Sequence, residues 1–315
     1  MTGHDPHLPP ALPVVPAYRD LTTWPALYSW LQARVNETPT ITLEGDRRVL
    51  SVTDLGEGVE ITFEDGKKQI TPVVLGADGY RSVVRRAIAP DHPYARYAGY
   101  LVWRGLVEER PLKRPVPWPS DGGLWIEIID GYRLVAATLP GRDGSLVPGH
   151  RQITFAWFDV HQEQLLRRTG CLTLDGHIVG SLARGMIDES VRLDLASRAR
   201  AIWPELWLEA VLTGISSPET LSGAPIAEYK PERLARGNLA ILGDAAHVIS
   251  PMTGRGLLTG MEDASTLAQL LASRNPKGSF ASVLSSYEQA RLPFIQGLVN
   301  HSMRISAEYR RRAGG

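Results

Sequence analysis

The chain reads as a mixed α/β (α+β) protein, with a parallel-sheet layer interrupted by an inserted, mostly antiparallel sheet. Three observations predict this. The apolar runs Val73-Val74-Leu75 and Leu239-Ala240-Ile241-Leu242 each end at a glycine and lead into a helix-like stretch, the pattern of strands buried in a parallel sheet. From Tyr97 to Phe158 the pattern is strand and turn instead. The 315 residues, 43% of them hydrophobic, suffice for one large or two modest globular domains.

Residues 1–17 hold five prolines, which suits an extended lead rather than a strand or helix. A helix is expected over Pro25 to Arg34. Thr40 to Glu44, Arg48 to Thr53 and Val59 to Glu64 alternate or carry β-branched residues, with turn signals at Gly45-Asp46, Gly56-Gly58 and Asp65-Gly66, so they predict a small antiparallel sheet. The run at Val73 then reaches Asp78-Gly79, a turn signal, and Ser82 is placed to cap a helix. Strands are expected at Tyr100 to Gly105, Leu124 to Ile129, Tyr132 to Thr138 and Gln152 to Asp159. Helices follow at Asp159 to Thr169, Glu189 to Ile202 and Pro204 to Thr213, the last with proline at its start.

The chain returns through Pro225 to Arg236 to the second apolar run. Leu257, Met261, Ala264, Ala268 and Leu271 then recur at helical spacing and predict one apolar stripe on a helix beginning at about Gly256. A long amphipathic segment, Ser279 to Arg312, closes the chain. Pro293 should kink it or mark a boundary, and Leu292, Phe294, Ile295, Leu298 and Met303 should dock it on the body. The expected division is 1–17 as the lead, 18–92 with 226–315 as one discontinuous domain, and 93–225 as the inserted one.

The most specific chemistry lies in Gly243-Asp244-Ala245-Ala246-His247 and Pro251-Met252-Thr253-Gly254-Arg255-Gly256. Gly243 permits a sharp turn, and Asp244 offers a short carboxylate to sugar-alcohol hydroxyls. Ala245, Ala246, Pro251, Gly254 and Gly256 leave room for a flat ring. The helix start at Gly256, Leu257 and Leu258 presents free N–H groups and the positive dipole end to an anionic edge, such as that of a reduced flavin. Arg255 either meets a phosphate or is solvated. His247 either faces the ring or is a hydrogen-bonded structural residue. Glu262 and Asp263 read as favourable charges near a helix start.

These residues, continued by Gly260 and Asp263-Ala264, resemble the second flavin motif of the para-hydroxybenzoate hydroxylase-like FAD monooxygenases. Gly76-Ala77-Asp78-Gly79-Tyr80-Arg81-Ser82-Val83-Val84-Arg85-Arg86 resembles the same family's Asp-Gly motif. Leu21 to Tyr28, Tyr97 to Gly105 and Pro140 to Ser145 look most like the branch containing 2,6-dihydroxypyridine 3-hydroxylase, and matched piecewise the resemblance runs from about Tyr18 to about Ser306. The resemblance implies an FAD-binding, Rossmann-like domain, here incomplete, with an inserted substrate-binding sheet. Arg81 and Arg85 offer cations for a pyrophosphate, and the resemblance implies that the motif, with Asp78, Gly79 and Arg81, serves both FAD and an incoming NADPH or NADH.

On the inserted sheet, Trp103, Trp157, Trp125, Tyr132 and Phe155 are candidates to stack on a planar substrate, or else core residues. Arg104 is a candidate polar contact or a structural ion-pair member. No catalytic side chain is assigned.

Three departures stand beside the match. The family's first motif, GxGxxG between a first strand and helix, occurs nowhere in the sequence, Leu258 stands where many relatives carry Asn, and Gln32 where many carry Arg. Each weakens the expectation of tight FAD binding.

Composition removes other classes. With 34 basic and 34 acidic residues the net charge is zero, which gives no footprint for nucleic acid. Arg310-Arg311-Arg312 reads as a solvated helix end or tail. No apolar run approaches the ~20 residues that span a bilayer, and the start lacks a signal-peptide pattern, so a cytoplasmic setting is expected. The single Cys171 allows neither an intrachain disulfide nor a multi-cysteine zinc site. His4 and His7 fit a Pro-rich tail better than a metal site, and no metal is expected. No GxSxG, HExxH or GxxxxGK[ST] pattern is present.

The expected function is an FAD-dependent, NAD(P)H-driven monooxygenase hydroxylating a small electron-rich aromatic or heteroaromatic molecule, with a homodimer compatible. The rivals are an inactive remnant or interaction protein that keeps the fold, told apart by a colourless preparation, and a flavin dehydrogenase or oxidase, told apart by oxygen ending in peroxide rather than product.

Overall fold

The structure, a computed structural model, describes residues 24–114, 116 and 124–314. The Pro-rich lead, His4, His7 and Leu21 to Thr23 lie outside the described residues.

Helix α1 (Trp24–Asn36) precedes a three-stranded antiparallel sheet of β1 (Val49–Asp54), β2 (Val59–Phe63) and β3 (Lys68–Thr71). Thr40 to Glu44 forms no strand. The third strand comes instead from the far side of the Asp65-Gly66 turn, where Asp65 Oδ1 accepts from Lys67 N at 3.0 Å and Phe63 N donates to Lys67 O at 2.9 Å. A local hairpin closes at lower entropic cost than a more distant pairing.

Strand β4 (Val74–Gly76) lies parallel to β11 (Leu239–Ile241), with β10 (Ala235–Arg236) antiparallel on the other side of β11. The two expected apolar runs are thus neighbours, and all three β11 residues are buried. Gly76 must lack a side chain, because a Cβ there would stand 2.6 Å from the Cβ of Val84 on α2 (Val83–Ile88). The buried core here joins Val84, Ile88 and β11 to Leu267 of α6 (Gly256–Ala272) and to Leu284, Tyr287, Ile295 and Val299 of α7 (Phe280–Ala313). Helix α7 runs through Pro293 as one element, its buried residues falling on both sides of the proline, so packing offsets the backbone bond that proline removes.

The inserted sheet has strand order β6-β7-β8-β5-β9, all antiparallel, from β5 (Arg96–Glu108), β6 (Trp125–Ile129), β7 (Tyr132–Leu139), β8 (Gln152–Asp159) and β9 (Ser222–Glu228). Alternation divides its side chains between two faces. Trp103, Leu134, Phe155 and Trp157 pack against α4 (Glu189–Ile202) and α5 (Glu205–Ser216), together with Trp203 and Trp207. Tyr100, Val102 and Phe158 turn the other way, towards Tyr309 and Ala313 of α7. The helix expected from Asp159 begins later, as α3 (Glu163–Arg168), because Asp159 is the fully buried end of β8 and accepts from Trp103 Nε1, Gln162 Nε2 and Arg198.

The expected stripe on α6 faces mostly outward: Leu257 is 61% and Met261 62% exposed, Ala264 and Ala268 are exposed too, and Leu271 packs against the core. The buried side carries Thr259, Asp263 and Leu267, because Asp263 is held from below by the Gly243 turn and by α7.

Candidate functional site

The turn after β11 begins at Gly243, whose φ of +58° suits glycine, and brings Asp244 to the surface. No protein group hydrogen-bonds the Asp244 carboxylate among the described residues. It is open to solvent yet crowded by protein, and desolvation raises its pKa despite the nearby His247 and Arg85. Ala245 and Ala246 are fully buried behind it. Pro251 begins a short 3₁₀ turn, Pro251–Thr253, closed by Gly254 at φ +64°. A Cβ added at Gly254 or Gly256 would meet nothing within 4 Å, so the space above both is open. Among the described residues no side chain caps α6, and Thr259 N, bonded to Arg255 O at 2.9 Å, is its first bonded amide. An unpartnered acceptor, two bare glycines and a free helix N-terminus therefore face one region.

Beneath it lies a hub that the sequence reading missed. The fully buried Asp263 accepts from Gly243 N at 3.1 Å, pairs with His247 Nε2 at 2.8 Å, and takes Arg291 Nε of α7 at 2.8 Å. Burial pushes its carboxyl up, but His247, Arg291 and the Gly243 amide outweigh that and hold it below the usual carboxylate range. Asp263 is thus no helix-dipole charge: it sits in the second turn of α6 and fixes the Gly243 turn. His247, also fully buried, faces Asp263 rather than an open site, which corrects its candidacy as a substrate contact. Glu262 bonds Arg291 at 3.1 Å and pairs with Arg255 at 3.5 Å, so Arg255 is half-buried and held rather than solvated.

The Asp-Gly turn is tied to the same place. Asp78 Oδ2 accepts from Val83 N at 2.6 Å and Ser82 Oγ from Arg85 N at 2.9 Å, so both cap α2. Gly79 takes a φ of +76°. Arg85 is fully buried: it donates to the carbonyls of Pro93 (2.8 Å), Ala245 (2.9 Å) and Tyr80, and stacks 4.4 Å from the Tyr229 ring centroid. It is therefore no free cation for a pyrophosphate but the link between the two motif turns. Arg81 stays exposed, donating to Val179 O at 3.2 Å.

The 3₁₀ turn is anchored to α7. Ser250 Oγ lies 2.6 Å from Tyr100 OH, Ser250 N donates to Ser302 Oγ at 2.7 Å, and Ser302 and Ser306 both donate to Glu228 Oε1. Burial pushes the Tyr100 hydroxyl up to about 12, so it stays a neutral hydrogen-bonding group at physiological pH. From this turn Met252 enters the wall of a cavity of about 450 Å³, shared with Ile128, Gly131 and Arg133 of the β6–β7 hairpin and with Ile305, Glu308, Tyr309 and Arg312 of α7. Among the described residues Arg133 Nε is buried without a partner, and the guanidinium stands 5.5 Å from the Phe158 centroid. The sequence offered little signal for it beyond an arginine inside an alternating strand.

The expected stacking residues are placed otherwise. Trp103 and Trp157 are fully buried on the helix-covered face, the first donating to Asp159 and the second edge-on to Trp203, so neither borders an open site. Phe155 is buried there too, and Trp125 and Tyr132 pack against the same core. Arg104 alternates to the opposite face of the strand and is exposed. Among the described residues no group of histidine, cysteine and carboxylates has the arrangement of a metal site, and no helix is long and apolar enough to cross a membrane. Cys171 is buried and unpaired.

Comparison with known proteins bears on this geometry. A family described as an FAD binding domain matches residues 194–302, and one described as FAD binding domain-like matches residues 97–205. An FAD-dependent urate hydroxylase of Klebsiella oxytoca is 28% identical over 80% of this chain and 56% of its own length. A 2,6-dihydroxypyridine 3-monooxygenase of Paenarthrobacter nicotinovorans is 26% identical over 75% of this chain and 56% of its own. The chain thus spans about half the length of either relative. The solved 2,6-dihydroxypyridine-3-hydroxylase of Arthrobacter nicotinovorans superposes with a TM-score of 0.66 at 21% identity, over 85% of this chain and 65% of that one, which establishes a shared fold. With the Gly243-Asp244 cradle and the Asp-Gly turn bound together by Arg85, the chain is a relative of the para-hydroxybenzoate hydroxylase-like FAD-dependent aromatic monooxygenases.

Proposed function

We propose that the chain acts as an FAD-dependent, NAD(P)H-driven monooxygenase on a small, planar, electron-rich aromatic or heteroaromatic molecule. The carrying observation is that Met252, on the turn that follows the Asp244 cradle, forms part of the wall of the cavity holding Arg133. A cofactor cradle and a small-molecule cavity then share a boundary.

Bound FAD would supply the redox and oxygen chemistry, and the protein's part is binding, orientation and exclusion of water. The open geometry at Gly254 and Gly256, the unpartnered Asp244 carboxylate and the free start of α6 fit its ribityl chain and ring edge. Asp244 would accept hydrogen bonds from hydroxyl groups, and the amides of Gly256, Leu257 and Leu258 would favour a negatively charged ring edge. Gly243, Ala245, Ala246 and Pro251 shape the cradle, and Asp78 and Gly79 hold the neighbouring turn. Ile128, Met252, Ile305 and Tyr309 make a largely apolar wall. Arg133, its charged form disfavoured by burial, would gain most from an anionic or carbonyl oxygen of the substrate. The substrates that the relatives' names state, urate and a dihydroxypyridine, are flat and oxygen-rich, in keeping with one guanidinium over an apolar floor. A cytoplasmic setting suits a nicotinamide reductant.

The test is the visible spectrum of the purified chain with and without FAD, followed by oxygen uptake with NADPH or NADH and a panel of hydroxylated aromatic and heteroaromatic acids. Arg133→Gln should raise KM for the accepted substrate about tenfold or more while flavin binding is kept. A chain that binds no flavin and consumes no oxygen with any of these sinks the proposal. One observation favours a second reading, an interaction protein that keeps the fold: the uncovered apolar residues Leu257, Leu258 and Met261 on α6. A stable preparation that stays colourless with excess FAD would decide for it.

A further inference from the structure

A second cavity, of about 780 Å³, borders α7 and shares no lining residue with the cavity that holds Arg133. Separate segments meet in it: Ala98 of β5, Glu228 of β9, Arg310 of α7, the loop that carries Tyr94, and the turn at His177.

Helical spacing places its polar groups. Ser302, Ser306 and Arg310 recur every fourth residue and so lie along one face of α7. Both serines are buried and donate to Glu228 Oε1, at 2.6 and 2.9 Å, which fixes the carboxylate against the helix. Glu228 Oε2 has no hydrogen bond among the described residues and is left to the cavity. Arg310 follows one turn on. Its stem crosses β5 at Gly99, where φ is +89° and the register with β9 shifts, and a Cβ at that position would collide with Arg310 Cδ. A bulge at a bare glycine thus makes the room that brings this guanidinium to the cavity.

Glu228 and Arg310 therefore line one cavity, yet among the described residues they form no ion pair with each other. Elsewhere in the fold an acid and a base brought together close up, as Glu109 and Arg151 do at 2.6 Å and Asp159 and Arg198 at 2.9 Å. Here the serines hold the acid and the Gly99 bulge holds the base, so two poles stay apart. Burial pushes the Glu228 carboxyl up, the mark of a carboxylate short of positive partners. The remaining full charges of the lining cancel, Arg96 and Lys230 against Asp91 and Glu232, and all four are exposed. A simple anion or cation would satisfy one pole and be repelled by the other. Tyr94 and His177 add an aromatic corner, their ring centroids 5.3 Å apart and tilted by 44°.

We infer that this cavity binds a free aromatic α-amino acid as its zwitterion, with the ammonium on Glu228, the carboxylate on Arg310 and the ring in the corner of Tyr94 and His177. Such a molecule carries both charges on one carbon, so it answers two fixed poles of opposite sign at once. Because the cavity is separate from the one at Arg133, binding here requires neither flavin nor turnover, and the inference stands or falls apart from the monooxygenase reading.

Calorimetric titration of the full chain with L-phenylalanine, 3-phenylpropionate and phenethylamine tests each pole. L-Phenylalanine should bind at least about tenfold more tightly than either analogue, each of which lacks one charge. Arg310→Gln should weaken L-phenylalanine and 3-phenylpropionate about tenfold and leave phenethylamine unchanged. Glu228→Gln should weaken L-phenylalanine and phenethylamine and leave 3-phenylpropionate unchanged. Arg311→Gln, next in the chain and outside the lining, should alter none of the three. Glutamine at 228 keeps an acceptor for both serines, and Arg310 is exposed, so melting curves close to wild type are expected; should Glu228→Gln fail to fold, the pattern in Arg310→Gln decides. No binding of L-phenylalanine, tighter binding of either analogue, or an affinity indifferent to Arg310→Gln overturns the inference.

Discussion

Replacing Asp263 by asparagine tests whether the cradle is held from beneath by one buried charge. The substitution keeps the side-chain volume, so no cavity opens, and the backbone of α6 is untouched. It removes the charge that binds Arg291 Nε at 2.8 Å and His247 Nε2 at 2.8 Å, while one amide oxygen can still accept from Gly243 N. Two charge-assisted hydrogen bonds at about 1.5–3 kcal/mol each, around a largely buried Arg291, give a loss of about 3–5 kcal/mol, the range seen when one partner of a buried pair is removed.

Urea unfolding followed by tryptophan fluorescence and circular dichroism at pH 7 would measure it. The pH dependence adds a second check. Asp263 has a folded pKa below its unfolded one, so its stabilisation is full above about pH 4 and is lost as pH falls through the folded value. Wild type and Asp263→Asn should therefore differ fully at pH 7 and converge on acidification. A loss below about 1 kcal/mol at pH 7, or a gap that widens in acid, would refute the hub.

Two further predictions concern the cradle and the sheet. Asp244→Asn should weaken FAD binding by roughly tenfold to a hundredfold, read by quenching of flavin fluorescence. The flavin-free variant should be no less stable than wild type at pH 7, since the raised folded pKa of Asp244 means that its charge costs stability as pH rises through that value. A clear fall in flavin-free melting temperature would contradict this. Gly105→Ala would drive a Cβ to within 2.3 Å of the Phe155 ring and should cost about 1–3 kcal/mol in chemical unfolding, partly recovered by adding Phe155→Leu. Unchanged stability in the single variant would show that the ring has room to move.

How much was legible in advance follows from the range over which each signal acts. Local patterns named β11 and its turn, the start of α6 at Gly256, the Ser82 cap, and the bounds of α4 from Glu189 to Ile202. The ordered glycines and Asp244 marked the cradle because backbone freedom and a short carboxylate are properties of single residues at fixed spacing. The hub at Asp263 was not legible, since Arg291 lies 28 positions away and nothing in either segment signals that they meet. Arg85 looked like a phosphate ligand because a cation in a motif carries no sign of the carbonyls that will surround it. Trp103 and Trp157 were candidates by their rings alone.

Local pattern was enough for the buried strand at Leu239, the turns that follow glycines and the chemistry that a bare glycine or a free acid permits, but not for β3 or β9, whose pairing partners lie elsewhere. Which face each side chain takes came from the packing. One step along a strand moves a residue from one face of the sheet to the other, so Trp103 joined the core under α4 and α5 while Arg104 stayed exposed. On α6 the Thr259-Asp263-Leu267 face was drawn inward by Gly243, His247 and Arg291, leaving most of the apolar stripe outside.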